Sequence, residues 1–514
     1  MAGKIKDTLI AAVLISFLVV IYVLGQNYSF FDGVKPLSVN SGSTAASVEA
    51  MDLSEPDKII VSSGSGQMYS VDPDRKLERG YQAQGVSDPT LYASFMAEFK
   101  SRVSGSAGLS KTDASKFSRA VSENSASAVY SFRITLEDLE SCAGIEDETG
   151  GSDKVRPSII VIPAYDRNSA YIWDSTAGKY YRIKSENDAG VWSSMADALA
   201  GTSDGTETAY RLSSDTGKGA GFVPDDQVQL QIPEDSSYLP EYRASDESSL
   251  DRLEKMFFSK GTDFVRISRR ADGNVSYRYR YMQKVLTVSE SGRVYYHEQF
   301  DSDRYEEKDF SESLRIAASY IESHGGLPDS SGVKVFLKKA DRKAIDKKYK
   351  GYDFEFGISY KGMRLVYPEN EGDMLSVSVR GGQVTGYFRD LPTLEDEGSG
   401  AASPETAEKA EVQAQPLSQI VSANASELAS ALDSRTAETD LQEITDSIRS
   451  AEICLYRVPD GMDPEAAASG RSTESTSADR LVPAWHISAG DRDFWFRASD
   501  GVFIASDNTA GEKN

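Results

Sequence analysis

Seventeen consecutive residues without a charge, Thr8 to Leu24 (TLIAAVLISFLVVIYVL), constrain this chain more than any other stretch. A helix rises about 1.5 Å per residue, so this run with its flanks crosses a hydrocarbon core of roughly 30 Å. Lys4 and Lys6 precede it and the next basic residue is Lys35. Positive charge stays on the cytoplasmic side, which puts the N-terminus inside and everything from about Gly25 onward outside. A cleaved signal peptide is the alternative, but it would carry a shorter apolar core and a small-x-small site directly after it. Here Gly25-Gln26-Asn27-Tyr28-Ser29-Phe30-Phe31 follows instead, with aromatics suited to a membrane interface. The expectation is a retained single-pass anchor over residues 8–25, with a cytoplasmic tail (1–7) too short for a domain.

The 514-residue chain leaves room for three domains, and 26 Tyr and 20 Phe suffice for real cores. The first seven residues hold two bases and one acid, so the outside part carries 54 minus 79, or −25. Such a surface excludes nucleic acid and other polyanions as partners unless a local basic patch is present. Cys142 and Cys454 are too few and too far apart for a disulfide framework, and read as ordinary part-buried thiols. His297, His324 and His486 show no metal-ligand spacing, so neither metal nor cofactor is expected.

Residues 26–54 read as a stalk rich in Ser, Gly, Ala and Asn. A first α+β unit covers 55–240. It opens with a hairpin, Lys58–Val61 and Met68–Val71 about Gly64-Ser65-Gly66. A helix follows with Asp88 as N-cap and Pro89 at its first position, its stripe formed by Leu91, Phe95, Phe99 and Val103. Further along come a helix over Thr112–Glu123, strands at 128–134, 159–162 and 170–173, a short helix at 191–199, and a strand at Val228–Ile232. A middle unit over 246–392 starts with a helix at Ser248–Phe258. A four-strand meander punctuated by Asp272-Gly273 and Ser291-Gly292 comes next, then a helix at Ser311–Ser323 and more strands, the last pair turning at Gly381-Gly382. An acidic linker (393–414) leads to a C-terminal unit over 415–510, with a helix at Leu417–Leu432 and strands of which the last, Val502–Ala505, follows a turn at Asp500-Gly501.

The last two units show matched element order: helix, strands, a two-residue Gly turn, strand. LSVSVRGGQVTGYF (375–388) corresponds to DFWFRASDGVFIA (493–505). The expected fold is therefore α+β: one N-terminal transmembrane helix and three extracytoplasmic α+β units, of which the last two are helix-on-antiparallel-sheet repeats. A sheet with one covered face leaves a face or edge free for docking.

Three passages resemble the YycH/YycI family, membrane-anchored accessory proteins of a cell-wall sensor kinase in Gram-positive bacteria. They are Leu253–His297 (LEKMFFSKGTDFVRISRRADGNVSYRYRYMQKVLTVSESGRVYYH), Val129-Tyr130-Ser131-Phe132-Arg133-Ile134, and Leu481-Val482-Pro483-Ala484-Trp485-His486-Ile487, a strand also common in PepSY-like modules. The layout matches as well, and the length favours a YycH-like chain; the long acidic linker and the polar insert at 460–479 depart from it. The resemblance implies a sensor histidine kinase and a YycI-like sister protein as partners, contacted through the membrane helix and the outside domains.

Motifs for chemistry do not rise above chance. Gly201-Thr202-Ser203-Asp204-Gly205 fits G-x-S-x-G but lacks the preceding strand of a nucleophile elbow. Ser331-Gly332-Val333-Lys334 fits S-x-x-K without any K-T-G, and Val333–Phe336 reads as strand. Asp301-Ser302-Asp303 and Asp491-Arg492-Asp493 read as solvated turns, and His486 as a sheet-packing residue rather than a pH sensor. The ladder Tyr277, Tyr279, Tyr281 reads as sheet packing. Ala12 and Ser16, four apart on the membrane helix, are the candidate helix–helix contacts, because small residues let transmembrane helices approach. A membrane-anchored, non-enzymatic regulator is the expectation; a surface-exposed ligand-binding or wall-associated protein with no kinase partner is the alternative.

Overall fold

The computed structural model describes residues 53–508 apart from 65–67, 76–89, 105, 132, 146–149, 186–208, 213–220, 225–230, 234–235, 238, 259–263, 281, 327–332, 345–348, 369–372, 394–411, 431–440, 460–478 and 491. They form a mixed α+β protein built on two large, predominantly antiparallel sheets. None of their helices is long and apolar enough to cross a membrane. The run Thr8–Leu24 lies outside the described residues, as do the expected helix at 191–199 and the G-x-S-x-G stretch.

The first sheet has nine strands: β1 (Lys58–Ser62), β2 (Met68–Val71), β3 (Ser106–Thr112), β4 (Ser125–Val129), β5 (Ile159–Pro163), β6 (Ser169–Asp174), β7 (Lys179–Ser185), β8 (Ala209–Leu212) and β9 (Phe222–Pro224). Their order is β3-β7-β6-β5-β4-β1-β2-β8-β9. The unbroken apolar run Ile159-Ile160-Val161-Ile162 is explained by burial on both faces. Ile160 and Ile162 pack with Leu91, Phe95 and Phe99 of helix α1 (Leu91–Val103). Ile159 and Val161 pack with Phe117 and Val121 of α2 (Ala114–Ser122) on the other side. The start of α1 corrects the expectation of an Asp88 cap: Thr90 is the N-cap, its hydroxyl accepting from the Ala93 N–H at 3.1 Å. An additional helix, α3 (Leu136–Cys142), starts where the Thr135 hydroxyl accepts from the Asp138 N–H, a capping pattern readable in Thr135-Leu136-Glu137-Asp138.

Two short strands, β10 (Gln231–Ile232) and β11 (Ser236–Ser237), and helix α4 (Glu247–Phe257) lead into the second sheet. Its first part comprises β12 (Val265–Arg269), β13 (Val275–Tyr279), β14 (Lys284–Val288), β15 (Val294–Glu298), helix α5 (Phe310–Ser323), β16 (Val333–Ala344), β17 (Lys350–Tyr360), β18 (Met363–Val366), β19 (Leu375–Arg380) and β20 (Gln383–Arg389). After β21 (Val412–Gln413) come the short helices α6 (Leu417–Ala423), α7 (Ala425–Ala429) and α8 (Leu441–Ser447), then β22 (Ile448–Val458), β23 (Arg480–Ala489), β24 (Arg492–Arg497) and β25 (Phe503–Asn508). The single helix expected over Leu417–Leu432 is broken at Asn424. Its side-chain amide donates to the carbonyls of Ile420 (3.0 Å) and Gly501 (2.9 Å), drawing the chain toward the last hairpin.

Alternation decides the faces. In β19, Leu375, Val377 and Val379 are buried while Ser376, Ser378 and Arg380 are half-buried. The buried set packs with Leu314, Ala317 and Ile321 of α5. The two four-strand runs are alike in their dimensions: β16, β17, β19 and β20 have 12, 11, 6 and 7 residues, and β22 to β25 have 11, 10, 6 and 6. The last hairpin of each carries a register shift, at Ser378/Val379 and at Trp495/Phe496. These runs, expected as two units, share one 14-stranded sheet. The seam is the parallel pairing of β18 with β22, Arg364 opposite Cys454, Leu365 opposite Leu455 and Val366 opposite Tyr456. The ends of the first unit and of the linker also pair, Gln231 with Gln413 and Ile232 with Val412.

Candidate functional site

The pairing of β22, β23 and β24 sets Glu452, His486 and Trp495 directly opposite one another across three strands, hence on one sheet face. Arg364 lies opposite Cys454 across the parallel seam, two residues from Glu452 on the same face. Onto this row comes the start of β1, with Asp57 and Lys58. The Arg364 guanidinium pairs with Asp57 and lies 3.7 Å from Glu452 Oε1; Lys58 Nζ lies 3.6 Å from Glu452 Oε2. His486 places Nδ1 3.6 Å from Glu452 Oε1 and Nε2 3.3 Å from Asp493 Oδ1, with its ring stacked on Trp495 at 5.0 Å and 6°. Asp57 also accepts from the Ser131 N–H at 2.6 Å, and Ser488 donates to Asp493. Three carboxylates thus face Lys58, Arg364 and an imidazole, and the cluster is neutral when the imidazole is protonated.

The charges hold one another ionised. Burial opposes ionisation of Glu452, but Arg364, with His486 and Lys58, holds its carboxyl well below the usual range. Burial likewise opposes ionisation of Asp493, and His486 brings its pKa down. For His486, burial alone would depress the pKa; Asp493 and Glu452 outweigh it and push the value up to about 9. A His raised above its unfolded value stabilises the fold fully below the unfolded pKa of about 6.5, and that stability is lost as pH rises through the folded pKa. We therefore expect stability to fall between about pH 6.5 and 9, by about 3 kcal/mol at most. Urea midpoints at pH 6, 7.5 and 9.5 measure this, and a His486→Gln variant with the same pH slope as the parent would refute it.

A second clamp is deeper. The Asp390 carboxylate, 1% exposed, accepts from Arg293 Nε at 2.9 Å and Arg457 Nη1 at 3.0 Å. Arg457 also donates to Asp479 at 2.6 and 2.8 Å and lies over the Tyr367 ring at 4.8 Å. Nearby strands approach closely elsewhere too: a side chain at Gly221 would collide with the backbone carbonyl of Arg449.

Several expected residues take other places. Asp493 is a correction: it belongs to β24 and an ion pair, because register brings it beside His486, and it is no solvated turn. His486 does pack on its sheet, but between two carboxylates. Asp301 caps a one-turn 3-10 helix, accepting from the Asp303 N–H. Lys334 is the second residue of β16 and pairs with Asp72 and Asp74. Tyr277 is buried under Phe258. Cys142 and Cys454 are free thiols; burial pushes Cys142 up to about 12 and Cys454 well above its ordinary value. His324, stacked on Tyr320 at 3.7 Å, is held down to about 4 by burial. Among the described residues no group of three or more His, Cys, Asp or Glu side chains could hold a metal ion. Ala12 and Ser16 lie outside the described residues, as do Ser331 and Tyr281.

The fold and site define a mixed α+β, antiparallel-rich protein whose segments are held together by buried charge. No family model matches the chain, and no curated protein does. Among solved structures, it is similar to YycH from Bacillus subtilis, with a TM-score of 0.46 and 13% identity over 89% of this chain and 97% of that one. It is also similar to the Bacillus megaterium YpeB C-terminal domain, with a TM-score of 0.25 and 10% identity over 52% of this chain and 98% of that one.

Proposed function

We propose that this protein is a membrane-anchored extracytoplasmic regulator that binds a cell-envelope sensor histidine kinase, together with a YycI-like sister protein. One observation carries the reading. The passage Leu253–His297, whose residues resemble that family, folds as α4 and the β12–β15 meander, with one packed face and one open face ending in an edge strand. That is a surface for contacts. The anchor over 8–25, with its N-terminus cytoplasmic, supplies the second contact in this reading, and neither cofactor nor nucleic acid enters it.

Two contacts on one chain raise effective concentration, so each can be weak alone. Replacing residues 8–24 with an unrelated apolar helix is expected to keep the protein in the membrane yet weaken its effect on the kinase. Ala12→Leu with Ser16→Leu should do part of the same, because bulk there separates packed helices. The measurement is a reporter of the kinase's regulon at equal protein level. Unchanged output would reduce the helix to a tether. If deleting the whole protein altered no kinase's output, the surface-exposed ligand-binding or wall-associated reading would replace the proposal.

A further inference from the structure

We propose that the β12 edge of the large sheet is a docking site for an extended acidic peptide, which adds to the sheet as a further strand. Among the described residues β12 pairs with β13 alone, so its other edge offers unpaired backbone donors and acceptors. The side chains along it select the partner. Residues 264–284 carry Arg266, Arg269, Arg270, Arg278, Arg280 and Lys284 against a single acid, Asp272, in a chain whose net charge is −24. This is the local basic patch that the overall composition lacks.

Register sharpens the point. Arg266 lies directly opposite Arg278, so two guanidinium groups share one sheet face as a cross-strand pair. Like charges placed so are unfavourable unless an anion lies between them. Neither has an ion pair among the described residues, and Nε of Arg278 is buried without a hydrogen-bond partner there. Beside them Phe264 is 64% exposed, with the Arg280 guanidinium 6.0 Å from its ring. The opposite face of the same strand presents Ile267, 53% exposed, aligned with the buried Tyr277 and Leu286.

A strand laid along β12 meets Arg266 on one face and Ile267 on the other, where the neighbouring Arg269 is already paired with Glu247. The matching sequence alternates carboxylate and apolar residues, since successive side chains of a strand point to opposite faces. A second copy of this chain is disfavoured as the occupant, because self-pairing sets one arginine-bearing strand against another. A lipid surface would satisfy the charge but leave the backbone edge unused. The site is the edge of the same meander that carries the kinase reading, but its test involves no kinase, so either can fail while the other stands.

The experiment uses the full chain in detergent and a fluorescein-labelled eight-residue peptide alternating glutamate with valine, read by anisotropy. We expect saturable binding that weakens at least tenfold with Arg266→Glu plus Arg278→Glu, and as much when alternate peptide amides are N-methylated. Ile267→Ser should weaken it less. Arg266 and Ile267 lie on the edge strand and Arg278 on its neighbour β13, and an unchanged thermal midpoint confirms that the variants fold. Equal binding of the N-methylated peptide, or of a lysine–valine peptide, would overturn the proposal. So would no peptide binding at all, including the case where phosphatidylglycerol vesicles bind and the double variant releases them.

Discussion

Replacing Arg364 with methionine is expected to destabilise the protein by about 3–5 kcal/mol, the usual cost of leaving buried charges without their partner. Arg364 is the only cation within ion-pair distance of Asp57 among the described residues, and it shares Glu452 with Lys58. Asp57 is 7% exposed and has no easy route to water. Methionine keeps most of the side-chain volume and its contact with Phe336, over which the guanidinium lies at 5.1 Å. The loss therefore reports charge and not packing. Denaturant midpoints measure it, and Asp57→Asn in the Arg364→Met background should recover part of the loss. A change under 1 kcal/mol would show that water reaches these carboxylates and that the cluster is no clamp.

Asp390→Ala should cost a comparable 3–5 kcal/mol. The carboxylate is the shared acceptor of Arg293 and Arg457, and its removal takes that acceptor from both guanidinium groups, of which Arg457 keeps Asp479. Asp390→Asn retains the shape and one acceptor oxygen, so its cost should fall between the parent and the alanine variant. Thermal unfolding of the three proteins checks the order. If asparagine proved as costly as alanine, the negative charge, and not the accepting geometry, would be what matters.

Much of the fold was legible in short-range pattern. Period-two runs, paired turn dipeptides and the apolar stripes of α4 and α5 identified their elements, because each reflects burial of one face. The Ile159–Ile162 run even carried its double burial in the absence of alternation. Local chemistry could also have found α3, since Thr135 and Asp138 stand at capping distance. Other features had no local signal. Asn424 breaks a helix by reaching Gly501, 77 positions away. The join of β18 to β22 crosses a linker that reads as a boundary. Above all, Asp57, Lys58, Arg364, Glu452, His486 and Asp493 look like ordinary surface charges in their own segments. Only the register of distant strands makes them one cluster, and it turns His486 from a packing residue into a charged one.

The distance in sequence across that cluster has a consequence for how the protein is made. Lys58 and Glu452 are separated by 452 − 58, or 394, positions. A ribosome delivers the first sheet long before the acid that completes it, and contacts of such separation form late and slowly. During that interval the growing chain holds Asp57 and Lys58 at a half-finished surface. A product that stops short of residue 452 never closes it, however well its early strands pair. Proteases that survey newly made chains would then meet an open junction instead of a sealed one. The junction opened by Asp57 and Lys58 thus closes only when Glu452 is in place.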